Sequence, residues 1–148
     1  MLYFEDFKEG DLWDCGSHTI TEEEIVRFAG QFDPQPFHVD PAAAAGSVFG
    51  GLIASGWHTV CVFMRLTVDA YLHRAASIGS PGADEVRWLQ PVRPGDTLTA
   101  RFRVTEMRRS RTKPDRGIMR YFGETLNQRG EVVMTLRGLG MFKTRPQG

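Results

Sequence analysis

The sequence predicts a single α+β domain in which one long apolar helix is followed by four antiparallel strands. Three observations carry this. From Trp57 to about His73 the chain is apolar on nearly every side, with Trp57, Val60, Cys61, Val62, Phe63, Met64, Leu66, Val68, Tyr71 and Leu72. A helix of that kind is expected to lie buried in the middle of a fold. From Ala83 onward the hydrophobic period changes to two. The 148 residues suit one domain spanning 1–148, and no repeat, linker or low-complexity segment divides them.

The elements follow in chain order. His18 falls in an expected first strand. Thr21-Glu22-Glu23-Glu24 is a capping-box pattern, and Ile25, Phe28, Ala29 and Phe32 follow at helical spacing. That helix is expected to end near Gly30 to Phe32, because Pro34 prevents continuation. Asp33-Pro34-Gln35-Pro36-Phe37-His38 is expected to be a stiff, non-helical loop, since each proline fixes its own φ and pushes its predecessor towards extended geometry. Asp40-Pro41 and four alanines read as an N-cap, a proline at the first helical position and a turn or two of helix. The glycine-rich run from Gly46 to Gly56 then enters the long helix. Strands are expected at Asp84–Gln90, around Leu98–Val104, at Ile118–Leu126 and at Val132–Phe142. In the second of these, Leu98, Ala100, Phe102 and Val104 alternate with Thr97, Thr99, Arg101 and Arg103, which marks one buried face. Pro94-Gly95-Asp96 and Asn127-Gln128-Arg129-Gly130 supply turns.

Composition removes several classes of function. Lys+Arg and Asp+Glu are both 18, which argues against nucleic acid or an anionic membrane as the main partner. Cys15 and Cys61 are far apart, which favours a reducing, cytoplasmic setting over a disulfide framework; Cys61, in its apolar run, reads as a buried small hydrophobe. Met1 to Asp6 lacks the basic start and apolar stretch of a signal peptide. Arg65 and Asp69 interrupt the most apolar run, so no span of a bilayer is expected.

Two features carry chemistry. Asp33 and His38 sit five residues apart in the proline-held loop, and these are residue types that move protons near neutral pH. Gly56 opens the long helix, whose first N–H groups have no internal partner and carry the positive end of the helix dipole. A carbonyl placed there would be polarised. Read alone, the glycines can equally serve close packing of a loop, Asp33 can cap a turn, and Asp40 caps the short helix. His18, His58 and His73 read as packing or surface residues. Arg108, Arg109, Arg111, Lys113 and Arg116 crowd a hairpin tip, by default a solvated one, although arginine also binds phosphate well. Neither a phosphate-binding GxxxxGK nor a metal-spaced His/Cys/carboxylate cluster is present.

Together, Asp33, Gln35, Pro36, Phe37, His38 and Asp40, then Ala42 to Ala45 and Gly51 to Gly56, resemble the hydratase signature of the MaoC-like dehydratases, the (R)-specific enoyl-CoA hydratases. Arg87 to Asp96 is similar to the family's second common segment. Gln35 stands where the family commonly has Asn, Ser55 where it often has His, and Cys61 about where some members carry a helper Ser. The resemblance implies a hot-dog fold, a curved antiparallel sheet wrapped around the central helix. It implies reversible addition of water to a trans-2-enoyl-CoA, with Asp33 and His38 as the catalytic pair and the Gly56 N–H as oxyanion donor. Gln35, Phe37, Ser55 and Trp57 would contact substrate. Coenzyme A would be part of the substrate, with no separate cofactor or metal, and a homodimer would place the site at its interface. A hot-dog thioesterase and a non-catalytic acyl-thioester-binding protein are the alternatives of the same fold.

Overall fold

A computed structural model describes residues 1–147. After a 3-10 turn at Phe4–Asp6, the chain forms strand β1 (Leu12–Thr19), helices α1 (Glu22–Phe32), α2 (Pro36–Val39), α3 (Pro41–Ala45) and α4 (Gly56–Ala70), a second 3-10 turn at Leu72–Arg74, then strands β2 (Ala83–Trp88), β3 (Thr97–Arg109), β4 (Arg116–Leu126) and β5 (Val132–Lys143). The strands make one antiparallel sheet in the order β1-β3-β4-β5-β2. β1 and β2 are therefore its edges.

The expected period-two strand is β3, and Leu98, Ala100, Phe102 and Val104 all point into the core. The alternation works because successive side chains of a strand face opposite sides. Helix α4 lies against that apolar face. The Phe63 ring packs so close to Gly123 of β4 that a Cβ there would meet it at 2.6 Å, which is why the position takes no side chain. Leu136 and the stacked ring of Tyr121 complete this contact. Phe7, Trp13, Tyr71, Phe102 and Phe142 form an aromatic cluster at one end of the core. Burial there pushes up the Tyr71 hydroxyl and, in β1, the Cys15 thiol, the latter to about 11.

Three details differ from the sequence reading. The loop after Pro34 is not free of helix: Pro36–Val39 makes one turn, with Pro36 at its first position, where a missing N–H costs nothing. Helix α4 is not buried all round, since Trp57, Cys61, Met64, Arg65 and Asp69 share an exposed stripe. Cys61 is on that stripe and is exposed, because its spacing of four from Trp57 and Arg65 places it opposite Phe63 and Thr59. The N-cap side chains behave as expected, but the capping box stays half-made, because the Glu24 carboxylate turns to His18 and His58. Thr21 accepts from the Glu24 N–H, and Asp40 accepts from the Ala42 and Ala43 N–H groups.

Candidate active site

Helix α1 ends at Asp33, and α2 carries His38, so the loop between two helix ends sets their separation. His38 Nε2 lies 3.3 Å from Asp33 Oδ2. The imidazole is buried, and its Nδ1 is 2.7 Å from the Ile53 carbonyl oxygen. A carbonyl only accepts, so Nδ1 carries the hydrogen and neutral His38 presents a bare Nε2 towards Asp33. With a neutral imidazole two acceptors face each other, an arrangement that a shared proton or a water touching both completes.

Asp33 is held from both sides. The Gln35 amide donates to Oδ1 at 2.8 Å and the Ser55 hydroxyl to Oδ2 at 2.7 Å. Burial works to raise the Asp33 pKa, but these two donors and the neighbouring His38 outweigh it and hold the carboxyl below its ordinary value. Gln35 thus does what an Asn at its place would do, on a longer arm.

Ser55 occupies the N-cap position of α4, where a hydroxyl usually accepts from its own helix. Here it makes no such cap, because it donates to Asp33. The His58 and Thr59 N–H groups reach the Ser55 carbonyl, whereas among the described residues the Gly56 and Trp57 N–H groups find no protein acceptor. The family resemblance implies that Ser55 meets substrate. It is instead fully buried and lies outside the cavity wall, so it supports Asp33 from behind.

A cavity of about 390 Å³ opens between these elements, and Asp33, Gln35, Phe37, His38, Gly56 and Trp57 all line it. Its floor is fixed by the chain around it. Arg93 donates to the Phe49 and Gly51 carbonyls, and the Ala54 N–H donates to the Val92 carbonyl at 2.9 Å. The Phe37 ring meets His38 edge-on at 4.5 Å between centroids.

Sequence reasoning missed Trp88 and Thr59, which also line the cavity. The Trp88 indole N–H donates to the Gly56 carbonyl at 2.8 Å, and its ring lies across the glycine. A Cβ on Gly56 would sit 2.3 Å from that ring, so the first residue of α4 is a glycine for close approach. The signal for Trp88 was its place at the end of β2, beside the Pro91–Asp96 turn.

The remaining candidates lie elsewhere. His73 is exposed and bonds the Val68 carbonyl. His18 and His58 share Glu24 outside this cavity. The arginine-rich tip is the β3–β4 hairpin, at the sheet end away from Trp88, since Arg116 pairs with Lys143 whereas Trp88 pairs with Met134. Among the described residues, no group of three or more His, Cys, Asp or Glu is disposed to hold a metal ion, and no helix is long and apolar enough to cross a membrane.

A long helix against an antiparallel sheet, with an Asp/His pair at its glycine-opened N-terminus, is the architecture of a known class. The MaoC like domain model matches residues 14–121, and the chain belongs to that family. It is similar to a MaoC-like dehydratase from Rhodospirillum rubrum, with a TM-score of 0.93 and 44% identity over 99% of this chain and 100% of that one. It is also 36% identical over 110 residues to the (R)-specific enoyl-CoA hydratase of the same species, covering 71% of each chain. A Mycobacterium tuberculosis protein with a double hotdogfold aligns at TM-score 0.75 and 21% identity, over 99% of this chain and 45% of that one, a likeness of fold alone. The fold is the hot-dog fold, and the family is one of hydratases and dehydratases.

Proposed function

We propose that the chain catalyses reversible addition of water to a trans-2-enoyl-CoA thioester. The observation that carries this reading is the Asp33–His38 pair, 3.3 Å apart, in one cavity with the uncapped start of α4. A water placed beside the pair, within hydrogen-bond reach of both atoms, donates to both. One of the pair takes its proton as the oxygen bonds to the β-carbon. The electron pair of the double bond moves to the α-carbon and the thioester carbonyl, and the pair returns a proton to the α-carbon. The Gly56 N–H, on the same cavity wall and assisted by the α4 dipole, holds the enolate oxygen in this reading. Phe37 and Trp57 supply apolar wall for the acyl chain, and Gln35 keeps Asp33 aimed. Acid–base chemistry of this kind calls on no cofactor beyond the coenzyme A that the substrate carries.

The protein works as a homodimer in this reading. Trp57, Met64, Trp88 and Leu89 are exposed apolar residues, three of them on the cavity wall, and β2 is a free sheet edge beside them. A pairing across β2 would cover both. Sedimentation showing only monomer counts against it. The unpaired Cys15 and Cys61 support a reducing, cytoplasmic setting.

The test is a hydration assay over a panel of 2-enoyl-CoA thioesters, with Asp33→Asn beside the parent. Loss of the carboxylate should lower kcat at least about 10²-fold, the scale of general acid–base catalysis. No turnover of any thioester by the parent chain sinks the proposal. Release of free coenzyme A thiol without hydration would instead make the protein a thioesterase.

A further inference from the structure

A second polar cluster lies outside the Asp33–His38 cavity. Glu24, in the first turn of α1, receives two imidazoles. His18 Nε2, from β1, is 2.9 and 3.0 Å from its two oxygens, and His58 Nε2, from the first turn of α4, is 2.9 Å from Oε2. One carboxylate thus ties three elements together. The capping-box pattern assigns the Glu24 side chain to its own helix end, yet it is turned towards the histidines.

His58 is 4% exposed, and its ring stacks on Phe28 at 4.6 Å and 11°. Among the described residues its buried Nδ1 finds no hydrogen-bond partner. A buried N–H without an acceptor is costly, so the hydrogen belongs on Nε2, where Glu24 accepts it. Burial, with a smaller contribution from His18, lowers the His58 pKa; Glu24 works the other way without overcoming it. The ring is therefore a neutral donor. A metal role does not fit, because a ligating histidine normally donates its second nitrogen to an acceptor and His58 has none there.

The position of this bond matters. Glu24 and Asp33 lie at opposite ends of α1, nine residues apart, which is about 13 Å of helix. Gly56 and His58 lie in the same turn of α4. Ser55 to Asp33 ties the two helices at one point and His58 to Glu24 at the other. A single tie is a hinge, whereas ties at two separate points restrict the rotation of one helix on the other.

We infer that His58 is a positioning residue: by donating to Glu24 it fixes the first turn of α4, and with it the Gly56 N–H, relative to Asp33 and His38. The inference rests on the hydratase reading of that cavity. Two substitutions separate it from simple packing. His58→Leu keeps volume without a donor, and His58→Gln restores a side-chain N–H of similar reach. His58→Leu should lower kcat about 10- to 100-fold and leave KM within about two-fold, since misplacement by about 1 Å costs up to that much. His58→Gln should return kcat to within about three-fold of the parent. Unchanged kcat in His58→Leu, or equal loss in both variants, overturns the inference. Should His58→Leu not fold, Glu24→Ala, which leaves His58 Nε2 without its acceptor, is read against the parent in the same way, a kcat loss at constant KM supporting the inference and an unchanged kcat overturning it. If the parent hydrates no thioester, the hydratase reading fails by itself, and amide proton–nitrogen spectra still decide the tie. A Gly56 resonance displaced in His58→Leu and returned in His58→Gln supports it, and one unmoved in His58→Leu refutes it.

Discussion

Gly56→Ala tests the contact on which the start of α4 depends. The new methyl would lie 2.3 to 2.7 Å from three atoms of the Trp88 indole. Two of those atoms are ring-fusion carbons and the third is the indole nitrogen, and the ring cannot swing aside freely. Its N–H is bonded to the Gly56 carbonyl, and it meets Trp57 edge-on at 5.2 Å. Forcing a methyl into a packed contact costs about 1–3 kcal/mol. Losing the indole hydrogen bond adds about 1 kcal/mol. The sum, about 2–4 kcal/mol, corresponds to a melting temperature lower by about 5–15 °C at this chain length.

The clash reading makes a sharper claim about a pair of substitutions. Trp88 is 45% exposed at the end of an edge strand, so Trp88→Leu is tolerated. In that background the methyl added by Gly56→Ala has room, and alanine is at least as good a helix former as glycine. Gly56→Ala should then cost under about 1 kcal/mol, giving a coupling energy of about 1–3 kcal/mol between the sites. Urea unfolding of the four chains at one protein concentration measures it. Equal cost of Gly56→Ala with and without the indole refutes the argument, and another reason for the glycine is then needed.

Ser55→Ala removes a donor from the Asp33 carboxylate, so the Asp33 pKa should rise and the acidic limb of the kcat/KM profile should move to higher pH. For stability, both Asp33 and His58 have folded-state pKa values below their ordinary ones of 3.8 and 6.5. In each case the unfolded chain binds protons first as pH falls, so stability drops. The His58 contribution is present above pH 6.5 and lost as pH falls from there through its lowered value; that of Asp33 is lost only below 3.8. Melting temperatures against pH should show the first decline in the parent and not in His58→Gln. A thiol reagent should modify Cys15 only on unfolding, because Cys15 is buried and its thiol is pushed up to about 11.

What can be read from the sequence is what short range decides. Thr21 and Asp40 cap their helices because the acceptor and the N–H groups it serves are two or three residues apart. Leu98, Ala100, Phe102 and Val104 face inward because a strand's period is fixed by its backbone. Asp33 and His38 are visible for the same reason, five residues apart in a loop stiffened by Pro34 and Pro36. An apolar run does not say which of its members faces out, so Cys61 reads as buried when it is exposed: one exposed stripe runs along an otherwise apolar α4. Nor does a sequence say which side chains meet across long separations. Ser55 binds a carboxylate 22 positions away, and His58 one 34 positions away. Both are polar residues at the start of a helix that otherwise reads as core. The proposed catalytic pair and its Gln35 partner are thus local features, whereas the contacts with α4 are long-range ones. The Asp/His loop is therefore legible in the sequence, whereas the two ties between α1 and α4 become visible only in the fold.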